Sequence, residues 1–286
     1  MDMQTKAKPA WLKKKHIVDP NQDFVERILK DLSLNTVCRE AMCPNYMECF
    51  ARKTATFLIL GKNCTRNCAF CNLTHNDPLP ADPEEPVRVG KAAAGLGLRY
   101  VVVTSVTRDD MSDGGAGQFA ATVREIRKAC PGAAVETLIP DFQGKGPALA
   151  AVADSGPDVI SHNIETVKYL YSQVRPQADY RRSLGVIKSI GRLDLRIRAK
   201  SGIMVGLGES REQVLELFGD LRTAGCSILT IGQYLAPSKK HYPVKEFVKP
   251  EVFDEYKQIA AGMGFEYVAS SPFVRSSYHA GEALGL

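Results

Sequence analysis

Apolar residues along the chain fall into two alternating kinds of stretch. Short runs rich in Val, Ile and Thr occupy residues 56–60, 100–105, 134–139, 159–163, 195–205 and 227–234, with a further run over 265–269. Near-continuous apolar runs of this kind mark strands buried on both faces. Between them, stretches such as 118–129 and 209–224 carry apolar residues at helical spacing, and an earlier helical pattern covers 24–32. Six or so strand–loop–helix units in succession predict a parallel sheet with helices outside it. The expected architecture is α/β: a partial TIM-type (β/α)6 barrel (residues 53–269), with an N-terminal cysteine-rich extension (1–52) and a short C-terminal tail (270–286). Loop 76–85, rich in Pro and Asp, reads as an irregular crossing. In such barrels the chemistry sits at the C-terminal ends of the strands, and the motifs of the barrel fall there.

Composition narrows the picture only a little. With 44% hydrophobic and 24% charged residues among 286, disorder and collagen-like repeats are excluded. No secretory apolar stretch and no run of about 18 apolar residues is present, so a cytoplasmic protein with no membrane association is expected. The net charge is +5, and Lys6, Lys8, Lys13, Lys14 and Lys15 crowd near the N-terminus. They form either a solvated basic tail or a patch that steers an acidic partner. No aromatic-interleaved basic groove is present, so no nucleic acid is expected.

The cysteines change the picture more. A core this large needs no covalent staples, yet six of the eight cysteines lie between Cys38 and Cys71. Clustered thiols without a secretion signal bind metal or do redox chemistry more often than they form disulfides. Cys130 and Cys226 stand alone and read as small buried hydrophobes. Cys64, Cys68 and Cys71 have the spacing CxxxCxxC directly after the first barrel strand. Three thiolates are one short of closing a zinc site, the competing reading, and one short of fully ligating a four-iron cluster. A cluster so held keeps one iron open to a chelating substrate or cofactor. Cys38, Cys43 and Cys49 form a second triplet, CxxxxCxxxxxC, again one ligand short.

The first triplet resembles the radical S-adenosylmethionine (SAM) superfamily, in which CxxxCxxC binds a [4Fe-4S] cluster and the amino and carboxylate groups of SAM chelate the open iron. The resemblance puts Phe70 near the adenine. The string CREAMCPNYMEC (38–49) resembles the auxiliary-cluster motif of the lipoyl synthases, and Arg275-Ser276-Ser277-Tyr278 resembles their Arg-Ser-Ser-Tyr motif. The resemblance implies two [4Fe-4S] clusters, with Ser277 as oxygen ligand to the second, although the sequence alone does not choose it over Ser276. A hard oxygen ligand suits iron–sulfur poorly and leaves readily, as a consumed cluster requires. Lys200-Ser-Gly-Ile-Met-Val-Gly206-Leu-Gly-Glu matches the SAM-site motif of the same family, so Lys200 and Gly206 are expected at the cofactor, unless the glycines only make a tight turn. Asn163 and Glu165 carry groups suited to ribose hydroxyls. Asp109, Asp110 and Asp113 either receive the SAM ammonium or cap a turn. His162 is given no role. Phe50, where tryptophan is common, and the 76–85 loop depart from the family.

The resemblance implies a sulfurtransferase in which Cys64, Cys68, Cys71 and Ser277 are catalytic. It inserts sulfur at C6 and C8 of an octanoyl group held on a lysine of a lipoyl carrier, either the glycine cleavage H protein or the E2 lipoyl domain of a 2-oxoacid dehydrogenase. Flavodoxin or ferredoxin would supply electrons. A biotin-synthase-like sulfur insertion and a non-catalytic iron–sulfur redox protein are the alternatives. Nothing resembles a Ser/His/Asp triad, a P-loop or a zinc-protease helix.

Overall fold

The structure is a computed structural model that describes residues 8–14 and 18–286. Helix α1 (Pro20–Asp31) is started by Asp19, whose carboxylate accepts from Asn21 N, with Pro20 in the first turn where no N–H is needed. Strand β1 (Asn35–Thr36) and the short helices α2 (Val37–Glu40) and α3 (Tyr46–Ala51) follow. Then come β2 (Thr56–Ile59), α4 (Glu85–Leu96), β3 (Tyr100–Ser105), α5 (Ala116–Ala129), β4 (Ala134–Leu138), α6 (Gly146–Ala153) and β5 (Val159–Ser161). The chain continues through α7 (Tyr171–Val174), α8 (Tyr180–Leu193), β6 (Arg198–Val205), α9 (Arg211–Thr223), β7 (Ile228–Gln233), α10 (Pro250–Gly262) and β8 (Tyr267–Ser270).

All eight strands form one sheet in chain order. Strand β1 is antiparallel to β2, and β2 through β8 run parallel. The order is linear, so the barrel is open, and the expected α/β partial barrel is what the chain forms. Each predicted strand is present, the run at 265–269 included, which gives seven parallel strands where six were expected. The run at 195–205 starts late, at Arg198, because the Asp194 carboxylate accepts from Arg196 N at 2.8 Å and turns the chain. Leu195 is left 93% exposed by that turn.

Side chains alternate across each strand, so the inward set on β6 is Lys200, Gly202 and Met204. Gly202 and Met204 line a chamber at the top of the barrel, and Lys200 lies one layer below. There its ammonium sits 2.8 Å from both carboxylate oxygens of Glu136, and Tyr100 donates to Glu136 Oε2 at 2.7 Å. Lys200 and Glu136 are fully buried. This ion pair closes the barrel floor.

Candidate functional site

The chamber at the C-terminal strand ends has a volume of about 470 Å³. Cys64, Cys68 and Cys71 line it from the loop after β2. Cys38, Cys43 and Cys49 line it from the α2–α3 segment, and Ser277 from the tail after β8. Three separate parts of the chain thus converge on one cavity. Among the described residues no three His, Cys, Asp or Glu side chains converge as a single ion requires. Burial pushes Cys38 up to about 11 and Cys49 and Cys71 up to about 12, and it also raises Cys68. The free thiols therefore hold their protons at neutral pH, and iron binding must displace them.

Backbone bonds set the loop of the first triplet. Cys64 N donates to Thr74 O at 2.8 Å, Thr65 N to Thr107 O at 3.1 Å, Ala69 N to Val174 O at 2.9 Å, and Tyr242 N to Ala69 O at 2.7 Å. The Cys64 sulfur accepts from Thr107 N at 3.3 Å. Arg66, buried between the cysteines, donates to both Asp109 oxygens (2.6 and 3.0 Å) and to Asp141 Oδ1 at 2.7 Å. Arg182 donates to the other Asp141 oxygen at 2.8 Å. This network ties the cysteine loop to the loops after β3 and β4 and to α8. The Arg66 guanidinium, against the cost of burial, holds Asp141 well below the usual carboxylate range.

Phe70, Asn163 and Glu165 line the chamber, joined by Arg275 of the Arg-Ser-Ser-Tyr motif and by Arg175, which no sequence signal singled out. Glu165 has φ +67°, a costly conformation for a non-glycine residue. It is held there by β6, with Glu165 N donating to Gly202 O and Met204 N to Glu165 O. Burial raises its carboxyl above the ordinary range. Asn163 donates to Glu165 Oε1 at 3.1 Å and to Ser276 Oγ at 3.0 Å. Ser276 is thereby engaged, whereas the Ser277 hydroxyl has no hydrogen-bond partner among the described residues. Ser277, Cys38 and Cys49 also border a second cavity of about 640 Å³, lined by the starts of β2 and β3 and by the tail. The structure thus separates two serines that the sequence left equivalent.

Two expected cofactor residues lie elsewhere. Lys200 is in the floor ion pair, because inward alternation sets a side chain's face but not its depth. Gly206 (φ +95°) makes the tight turn between β6 and α9, its N–H bonded to Glu209 Oε1. A Cβ there would collide with Gln233 Nε2 and Glu246 O, so packing requires the glycine. The carboxylates after β3 are likewise occupied: Asp109 by Arg66, Asp110 by Arg108, and Asp113 by the amides of Gly115 and Gly117. Gly232 lets the tail pass over β7, since a Cβ there would overlap Val274 O. Cys226 is fully buried and Cys130 packs partly buried on the core, as expected of structural cysteines.

Four polar atoms on chamber-lining residues are buried without a partner among the described residues: His162 Nε2, Asn163 Oδ1, Ser105 Oγ and Arg175 Nε. They suit a polar ligand. His162 Nδ1 lies 2.9 Å from Ile139 O and so carries the proton, which leaves Nε2 an acceptor. Burial, then the Arg175 charge, pushes His162 down to about 4. An unfolded histidine takes a proton below about 6.5, so between these values the unfolded state binds more protons. Stability from this group is present above that window and is lost as pH falls through it, up to about 3 kcal/mol. Denaturant titrations at pH 7 and pH 4.5 are expected to show a smaller loss for His162→Gln than for wild type. Equal losses would contradict the assignment.

A family model described as Radical SAM superfamily matches residues 58–221. The lipoyl synthase of Alkaliphilus metalliredigens is 54% identical over 282 residues, covering 99% of this chain and 97% of that protein. The lipoyl synthase of Caldanaerobacter subterraneus subsp. tengcongensis is 55% identical (99% of each chain), and that of Geobacter metallireducens 56% identical (96% of each). Among solved structures, methylornithine synthase aligns with a TM-score of 0.56 at 14% identity, over 92% of this chain and 86% of that one. Streptococcus suis SuiB bound to S-adenosylmethionine aligns with a TM-score of 0.60 at 12% identity, over 84% and 56%. The structural likenesses speak for the fold alone.

Proposed function

Because this chain belongs to the lipoyl synthases, within the radical SAM superfamily, we propose that its chamber brings two four-iron clusters together with one SAM molecule and one octanoyl chain. The observation that carries this reading is that both cysteine triplets and Ser277 line the same cavity. The residues fit these groups: each triplet leaves one corner for another ligand, and buried, unpartnered polar atoms face the space between.

When bound, these groups supply hydrogen abstraction from the unactivated C6 and C8 of octanoate and the two sulfur atoms inserted there, chemistry no side chain can perform. Cys64, Cys68 and Cys71 would hold the first cluster, three protein ligands for four irons, beside the space SAM would take. Phe70 lies beside the adenine, and Asn163 and Glu165 take the ribose hydroxyls. Arg175 and Arg275 offset negative charge on the clusters and the SAM carboxylate. Cys38, Cys43, Cys49 and Ser277 would hold the second cluster, with Ser277 as its weakest ligand. The bonded loop and the tail keep water from the reacting carbon.

The substrate is octanoyl-lysine on a lipoyl carrier, the glycine cleavage H protein or an E2 lipoyl domain, and flavodoxin or ferredoxin is the reductant. The enzyme works in the cytoplasm. No helix among the described residues is long and apolar enough to cross a membrane. Lys8 and Lys13 are exposed, Lys8 on the chamber wall, and meet an acidic carrier; Lys6 and Lys15 lie outside the described residues. Neutralising Lys8 and Lys13 is expected to flatten the salt dependence of turnover on the carrier, and an unchanged dependence would count against the steering.

The deciding assay is anaerobic: reconstituted protein, SAM, a strong reductant and an octanoyl-lysine peptide, with products read by mass spectrometry. A peptide that gains two sulfurs is the expected result. Release of 5′-deoxyadenosine with an unmodified peptide would keep the SAM chemistry and move the substrate elsewhere. Neither product, with both clusters intact, would overturn the reading.

A further inference from the structure

One lysine of the basic N-terminal stretch, although exposed as a residue, has its ammonium engaged on the protein itself. The Lys14 side chain is 27% exposed, and its ammonium lies 2.5 Å from Asn45 Oδ1 and 2.8 Å from Glu48 Oε2. The same ammonium sits over the rings of Phe273 at 4.9 Å and Tyr278 at 5.4 Å. Asn45 and Glu48 lie between Cys43 and Cys49, and Phe273 and Tyr278 bracket Ser277. Two further bonds close the same joint. Asn45 Nδ2 donates to Phe273 O at 2.7 Å, and Tyr278 OH donates to Glu48 Oε1 at 2.8 Å. Glu48 thus receives Lys14 on one oxygen and Tyr278 on the other.

The joint is built where the ligand set is weakest. Three of its four members are thiols on short helices or the turn between them. Ser277 lies on a tail of turns beyond β8, with neither strand nor helix to fix it. An oxygen ligand binds iron–sulfur poorly, so little of its binding energy is left to order a flexible tail. An anchor formed before the cluster arrives removes that cost. A cation between two acceptors and two ring faces can supply it, since charge-assisted hydrogen bonds and cation–π contacts both strengthen when partly desolvated.

We propose that Lys14 is a positioning residue: it pins the tail carrying Ser277 onto the 43–49 segment and so holds the serine oxygen within reach of the second cluster. The proposal rests on the reading that Cys38, Cys43, Cys49 and Ser277 bind that cluster. It makes the ligand set depend on both ends of the chain, 14 and 277.

The test uses the full chain carrying Lys14→Met, with Lys14→Arg and Lys14→Met/Ser277→Cys beside it. In the cluster-free protein, amides of 273–279 are expected to exchange about tenfold faster in Lys14→Met, while those of β3, β4 and β6 do not change. The second cluster is then loaded alone, in a background with Cys64, Cys68 and Cys71 replaced by alanine, and mildly oxidised. A cluster short of its fourth protein ligand sheds that iron, so the electron paramagnetic resonance signal of a three-iron cluster is expected to grow several-fold in Lys14→Met. It should return toward wild type in Lys14→Arg, which keeps the charge, and in the Ser277→Cys double variant, whose thiolate needs no anchor. Unchanged exchange and an unchanged three-iron signal, with the cluster loaded, would overturn the proposal alone. Failure of the otherwise wild-type second site to take up four irons would overturn the two-cluster reading, and the proposal with it.

Discussion

Alanine at Cys38, Cys43 or Cys49 is expected to abolish sulfur insertion while reductive cleavage of SAM continues. The two triplets share a chamber but not a scaffold. The first is set by bonds to Thr74, Thr107, Val174 and Tyr242 and by the Arg66–Asp109–Asp141 network, none of which includes residues 37–51. The Asn72 side chain, which donates to Glu40 O at 2.9 Å, is the direct hydrogen bond between the two segments among the described residues. Losing one thiol of three from a site already short of a strong fourth ligand leaves the second cluster without a stable home. Iron should fall from about eight to about four atoms per chain. Iron analysis, 5′-deoxyadenosine and thiolated peptide, measured on one preparation, check all three parts. Loss of SAM cleavage along with sulfur insertion would show that the triplets are not separable; full retention of sulfur insertion would remove the second cluster from the mechanism.

Lys200→Met is expected to cost about 3–5 kcal/mol of stability, because it leaves the Glu136 carboxylate buried with Tyr100 as its remaining partner. Against a typical total of about 5–15 kcal/mol this is a large fraction. Lys200→Met/Glu136→Leu should recover most of the loss, since removing both charges leaves neither one unpaired. Denaturant titration of the two variants measures it. SAM cleavage per folded molecule should be unchanged in the double variant, because neither side chain borders the chamber. A stable Lys200→Met protein with weakened SAM binding would instead return Lys200 to the cofactor site, where its sequence motif puts it.

The two predictions mark where reading the chain as a string succeeds and where it stops. The cysteine triplets are legible because their chemistry is local: a loop of eight residues already carries the spacing a cluster needs. The parallel barrel is legible because burial on both faces writes itself into each strand as an apolar run. Position along a barrel axis leaves no such mark. Lys200, Gly202 and Met204 share a face, and only the register of β6 against β5, and of β5 against β4, sets the lysine on the floor and the others in the chamber. Arg66, Arg175 and Arg275 are polar residues with no periodic signature, and their burial follows from which loops meet.

By itself, then, the sequence determined the α/β class, the two three-thiol sites and the loops that bear them, because each depends on contacts within a few residues. Tertiary structure alone decided that the two sites share one chamber, that Ser277 rather than Ser276 is left free to face it, that Asp109 is paired with Arg66, and that Lys14 is held against the 43–49 segment and the tail. Each of these joins residues far apart in the chain, and their pairing is set by how the barrel brings strand ends and termini together rather than by any local preference.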